Sequence, residues 1–135
     1  MKNFLVILSA SALLAMLMSF TRAFVNGGPW TVPDKFEKMK NPVKSDAASL
    51  ADGKALYGQH CQSCHGKKGL GDGPKAANLE TECGNFSLPS FHKQTDGALF
   101  YKISEGRQDM PSFKKKISDP DDIWNVINYV RTLAK

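Results

Sequence analysis

Apolar residues recur at helical spacing in several stretches of this chain, and nowhere do they alternate as in a strand. The clearest stretch lies at the C-terminus. Ile123, Val126, Ile127, Val130 and Leu133 follow a three–four repeat and form one apolar stripe. Asp119 stands where an N-cap belongs, Pro120 at the first helical position, and Asp121 and Asp122 at the positive end of the dipole. Arg131 and Lys135 fall in the last turn, and Trp124 and Tyr129 flank the stripe as core residues packing against Tyr57 and Gly53. A second helix is expected from about Ser49 to His65, with Ser45, Asp46 and Ser49 as alternative caps. A third runs from about Asp96 to Ser104, capped by Thr95, ended by Gly106 and burying Leu99, Phe100 and Ile103. These elements predict an all-α domain.

The rest of the chain is less regular. Phe4 to Phe20 is apolar apart from three serines, follows the basic Lys2, and ends in Thr21-Arg22-Ala23, which reads as an export signal cut after Ala23. It is short for a membrane span, though an uncleaved anchor is the alternative. Residues 24–46 are rich in Gly and Pro and read as an extended arm, with one short helix from about Asp34 to Lys40. Trp30, Phe36 and Met39 would tack that arm to the domain of residues 47–135 rather than meet a partner. Residues 66–94 carry Gly66, Gly69, Gly71, Gly73, Gly84, Pro74 and Pro89 and no periodicity. So long an irregular loop is unusual in a packed domain unless something other than side chains fills its centre.

Charge adds little. The net +5 falls by two when Lys2 and Arg22 leave with the signal, and no basic stripe interleaved with aromatics marks a nucleic-acid surface.

The chemistry sits in Cys61-Gln62-Ser63-Cys64-His65, a C-x-x-C-H pentapeptide. On a helix, residues three and four apart share a face, so both thiols and the imidazole point one way. Two thiols can then add to the vinyl groups of one porphyrin while His65 reaches its iron. Two other readings use the same residues. A redox-active C-x-x-C would need a preceding strand, and the segment before Cys61 reads as helix. A zinc site drawn from Cys61, Cys64, Cys83 and a histidine lacks a second paired half.

From about Ala47 to Lys135 the chain resembles a small monohaem class I c-type cytochrome. The resemblance rests on Gly53, Tyr57, Cys61, Cys64, His65, Gly66, the run Gly71-Asp72-Gly73-Pro74, Met110-Pro111, and a last helix bearing Trp124 and Tyr129. It implies three to four helices around one covalent haem c with iron, the first and last helices crossing closely at Gly53. It also implies export to the periplasm, on the outer side of the inner membrane. Pro74 and Leu79 resemble residues that line the haem pocket, where a proline carbonyl accepts from the ligand imidazole.

The sixth iron ligand has few candidates. Beyond the signal the methionines are Met39 and Met110, and the other histidines His60 and His92. Met110 lies off any periodic face and precedes Pro111, whose fixed φ stiffens the loop. By resemblance it is the Met-Pro of the distal loop, with His92 as the alternative ligand. His/Met ligation leaves iron no open site, so the expectation is a one-electron carrier cycling Fe(II)/Fe(III), not an enzyme. Its partners would be redox proteins, a reductase donor and an oxidase or terminal reductase acceptor, with no small-molecule substrate. The alternative is a haem-based gas sensor or small peroxidase, should Met110 leave the iron. Lys67 and Lys68, with Lys114, Lys115 and Lys116, are candidates for steering acidic partners. Cys83 is left over, as a buried thiol or a reactive one.

Overall fold

The computed structural model describes residues 28–133. The expected signal of residues 1–23 lies outside the described residues, as does the start of the arm. The chain divides into two units between Thr31 and Val32. Of the first, residues 28–31 are described, and they are irregular.

In the second unit, chain order gives α1 (Asp34–Glu37), α2 (Ala47–His60), α3 (Gln62–His65), a 3-10 turn (Ala76–Asn78), α4 (Pro89–His92), α5 (Asp96–Glu105) and α6 (Pro120–Leu133). The described residues contain no strand, only an isolated bridge between Arg107 and Met110. The all-α expectation holds. Among the described residues no helix is long and apolar enough to cross a membrane.

Local signals explain where these helices begin. Asp46 accepts the Ser49 N–H at 3.1 Å and starts α2 two residues before the expected Ser49. Thr95 accepts the Ala98 N–H at 3.0 Å and starts α5. Asp119 accepts the Asp121 N–H at 2.9 Å ahead of α6. One expectation fails in detail, because the helix from Ser49 to His65 is not continuous. Cys61, with φ −117° and ψ −37°, lies at the stretched edge of the right-handed region and separates α2 from α3. The arm helix also stops early, at Glu37 rather than Lys40.

The centre of the fold is the crossing of α2 and α6. A Cβ on Gly53 would lie 2.6 Å from the Asn125 carbonyl carbon and 3.0 Å from Tyr129 Cβ. Only a residue without a side chain lets the two backbones approach so closely. Beside this contact the rings of Tyr57 and Tyr129 lie 5.4 Å apart. Trp124 lies in the same buried cluster as Tyr57 and stacks on Phe100 of α5 at 4.4 Å, which joins α5 to α6. Val126 and Ile127 are fully buried, each stabilising the fold by about 1.5–3 kcal/mol.

Polar residues on α6 hold the flanking segments. Asn128 Oδ1 accepts the Asn41 amide at 2.8 Å, while its Nδ2 donates to Ser49 Oγ at 2.8 Å and the Val43 carbonyl at 3.2 Å. Arg131 donates to Asp96 Oδ1 at 2.8 Å and to the Gln94 carbonyl at 2.6 Å, with its guanidinium over the Phe91 ring. Within the second unit, α1 lies along α5. Phe36 packs on Tyr101 at 4.8 Å, and a Cβ on Gly97 would meet Met39.

Candidate haem site

The C-x-x-C-H segment forms a tight turn at the α2–α3 junction. The Cys61 N–H donates to the Tyr57 carbonyl at 2.9 Å, and the Cys61 carbonyl accepts from Cys64 at 3.1 Å and His65 at 2.9 Å. Both thiols are free and half-buried. Burial, and then the neighbouring Cys64, pushes the Cys61 thiol up to about 12.

The chain after the turn folds back against it. Gly71 donates to the His65 carbonyl at 2.9 Å, Gly73 to Cys64 at 3.1 Å and Lys75 to Ser63 at 2.9 Å. Tyr57, almost fully buried, donates its hydroxyl to the Gly66 carbonyl at 2.6 Å. Burial, chiefly, raises that phenol well above its ordinary value of 10. Gly66 has φ +80°, and a Cβ there would strike the Asp72 carboxylate.

His65 is gripped from two sides. Its ring stacks on Phe86 at 4.9 Å, and Phe86 stacks in turn on Phe91 at 4.6 Å. Its Nδ1 lies 3.4 Å from the Gly84 carbonyl oxygen, which can only accept. A proton on Nδ1 therefore points at Gly84 and leaves Nε2 as the lone-pair nitrogen. Burial holds the imidazole below its ordinary pKa, partly offset by the Gly84 carbonyl, which favours the neutral form a metal needs. The partner expected from resemblance was Pro74. Pro74 is exposed and Leu79 half-buried, and the chain brings Gly84 rather than Pro74 to Nδ1 because the 66–75 segment is tied to the backbone of residues 63–65.

Met110 closes a four-residue turn. Its N–H donates to the Arg107 carbonyl at 3.0 Å and its carbonyl accepts from Arg107 at 2.8 Å. Gly106, at φ +69°, ends α5, and a Cβ there would meet Met110 O, Pro111 C and Ser112 N, each at 2.5 Å. Met110 is half-buried against the apolar core. His92 is exposed at the end of α4, and His60 is half-buried near Phe113. Cys83 is half-buried, and burial, foremost, raises its pKa. Among the described residues no group of three or more His, Cys, Asp or Glu side chains is placed to hold a bare metal ion. Two thiols and an imidazole on one turn, with the Nδ1 side of the ring engaged, fit a covalent haem.

Sequence reasoning missed Gly84, Phe86 and the Asp109–Thr81 contact, in which the Asp109 carboxylate accepts both the N–H and hydroxyl of Thr81. Those hydrogen bonds, the hydroxyl's foremost, lower the Asp109 pKa. A bare carbonyl and a lone Phe in a glycine-rich loop leave no pattern in sequence.

Fold and turn together define a small class I c-type cytochrome. Residues 48–130 match the family described as cytochrome c oxidase, cbb3-type, subunit III, and the chain belongs to that cytochrome c family. It is 35% identical over 89 residues to a cytochrome c6 of Synechocystis sp., covering 66% of this chain and 69% of that protein. To a cytochrome c6 of Cladophora glomerata it is 31% identical over 90 residues, covering 63% and 89%. Among solved structures, a chain of the Kuenenia stuttgartiensis reducing HAO-like protein complex superposes with a TM-score of 0.64 at 27% identity. That match covers 84% of this chain and 54% of the other, so this chain spans about half its length. Membership implies covalently bound haem c with iron, haem-based electron transfer, and redox proteins as partners.

Proposed function

We propose that the chain is a soluble one-electron carrier of the periplasm, part of a respiratory chain, exported by its N-terminal signal. It would accept an electron from a reductase and pass it to an oxidase or terminal reductase, performing no catalysis itself. In this reading Cys61 and Cys64 form the thioethers, His65 Nε2 and Met110 Sδ hold the iron, and Pro74 and Leu79 lie at the haem pocket. The haem supplies reversible Fe(II)/Fe(III) chemistry. Phe86 and the Gly84 carbonyl orient His65, and Tyr57 holds the backbone behind it through Gly66.

The observation that carries the reading is the fixing of Met110. Both its backbone groups pair with Arg107, and Gly106 lets the turn close over the end of α5. A ligand on so restrained a turn keeps small molecules from the iron, which suits a carrier better than a gas sensor or peroxidase. Absorption spectroscopy tests it. The ferric protein should show a sulfur-to-iron charge-transfer band and its ferrous form should resist CO, whereas Met110→Ala should lose the band and bind CO. Rapid CO binding by the wild-type protein would favour the sensor. Lys67, Lys68, Lys114, Lys115 and Lys116 are all exposed; Lys114 pairs with Glu105 at 3.0 Å and Lys116 lies over the Phe113 ring at 5.5 Å, so steering of acidic partners would rest chiefly on Lys67, Lys68 and Lys115. A bimolecular reduction rate indifferent to ionic strength would remove that role.

A second reading is favoured by the likeness to the Kuenenia complex, namely that the domain serves as a fixed redox subunit of a larger assembly. Size-exclusion of the holoprotein from its native source separates the two, since a carrier elutes at its own mass.

A further inference from the structure

We propose that Asp109 is a positioning residue, clasping the turn that presents Met110 to the segment that orients His65. The inference rests on the His65/Met110 ligation proposed above. Residues 107–110 form a turn whose shape is set locally by the Arg107–Met110 pair and by Gln108, at φ +54° the one non-glycine residue with positive φ among those described. Local bonds define the shape of such a turn but not its placement.

Two sets of bonds place it. On its C-terminal side, Ser112 Oγ donates to the Ser104 carbonyl at 2.6 Å and the Phe113 N–H to the Ile103 carbonyl at 3.1 Å, which secures the exit to α5. At its tip, Asp109 Oδ2 accepts from Thr81 N at 2.8 Å and Thr81 Oγ1 at 2.7 Å. These bonds span 28 residues. Thr81 lies three residues before Gly84, whose carbonyl faces His65 Nδ1. One short segment thus receives Asp109 and aims His65, so displacement of either loop is felt by the other. Without the clasp, the Met110 turn is held only at its base, where the Gly106 N–H donates to the Lys102 carbonyl and Ser112 Oγ to the Ser104 carbonyl, and its tip can swing away from the segment that carries Thr81.

Imidazole titration of the ferric holoprotein reads that swing. Added imidazole competes with the sulfur for the sixth position, and its apparent affinity rises with the fraction of molecules whose turn has swung away. Asp109→Ala should bind imidazole roughly fivefold more tightly than wild type, and Thr81→Val should move in the same direction. The double variant should bind no more tightly than Asp109→Ala, because both changes remove one interaction. Asp109→Asn keeps an acceptor oxygen and should stay within roughly twofold of wild type. If Asp109→Ala titrates like wild type, or the two changes add, the positioning role is overturned while the ligand set stands. A wild-type ferric protein without the sulfur-to-iron band would overturn the ligand set and the clasp's role together.

Discussion

Substituting Gly53 by alanine probes how α2 and α6 meet. The added Cβ would lie 2.6 Å from the Asn125 carbonyl carbon, nearer still to its oxygen, and 3.0 Å from Tyr129 Cβ. None of these atoms can rotate aside, since two are backbone and the third is a first side-chain carbon. The helices must part along their seam. Overpacking of this kind costs about 1–3 kcal/mol, and a backbone obstacle places it near the top of that range. Alanine returns about 1 kcal/mol through its better helix propensity. The net loss is therefore about 2 kcal/mol, a factor of roughly 30 in the folding equilibrium. Gly58, on the same helix, supplies the control. It is exposed, with nothing within 4 Å of an added Cβ, so Gly58→Ala should stabilise by about 0.5–1 kcal/mol. Guanidinium unfolding of the holoproteins, followed by helical circular dichroism with a shared slope, measures both. Opposite signs are expected. A Gly53→Ala loss under about 0.5 kcal/mol, or a Gly58→Ala variant equally destabilised, would refute the close crossing.

Two further outcomes follow from buried polar groups. Asn128→Ala removes the partner of Asn41, Ser49 and Val43 at a site only 7% exposed, and thermal unfolding should report a loss of about 2–4 kcal/mol. Tyr57→Phe should cost about 1 kcal/mol at neutral pH through its bond to Gly66. Because the folded phenol titrates above the unfolded one, its contribution is complete below about pH 10 and is lost as pH rises through the higher folded value. The wild-type protein should therefore lose stability in strong alkali more steeply than Tyr57→Phe, read as urea midpoints across that range.

The parts of the fold that were legible are those whose cause is local. Thr95, Asp119 and Pro120 mark helix starts because a cap acts within three residues, and the observed starts of α5 and α6 agree. Gly53 was readable because a glycine inside a helix costs about 1 kcal/mol relative to alanine and so needs a structural reason, which the family resemblance supplied as a close helix crossing. The break at Cys61 was not. Helical spacing alone places both thiols and the imidazole on one face, so nothing in the pattern demands the departure at φ −117°. The stacking of Trp124 on Phe100 was not legible for a related reason. Periodicity says which face of a helix is buried, and α6 buries one broad face against α2 and α5 alike, so the stripe cannot assign a ring to either.

The site loops show where reading by pattern ends. Between residues 66 and 86 the chain has no periodicity because its backbone bonds run to the C-x-x-C-H turn and to itself, not along a helix: Gly71 to His65, Gly73 to Cys64, Lys75 to Ser63 and Phe86 to Gly69. Such bonds depend on backbone groups that every residue type shares, and they leave a sequence mark only where the chain must turn left-handed. Gly66 and Gly69, at φ +80° and +72°, are two such marks. Gly69 also shows why Phe86 reaches His65. A Cβ there would lie 2.5 Å from the Phe86 ring, so the bare glycine makes room for the ring that stacks on the imidazole. The orientation of His65 is thus decided by an absent side chain seventeen residues from the ring it admits, a dependence visible only once the loop is folded.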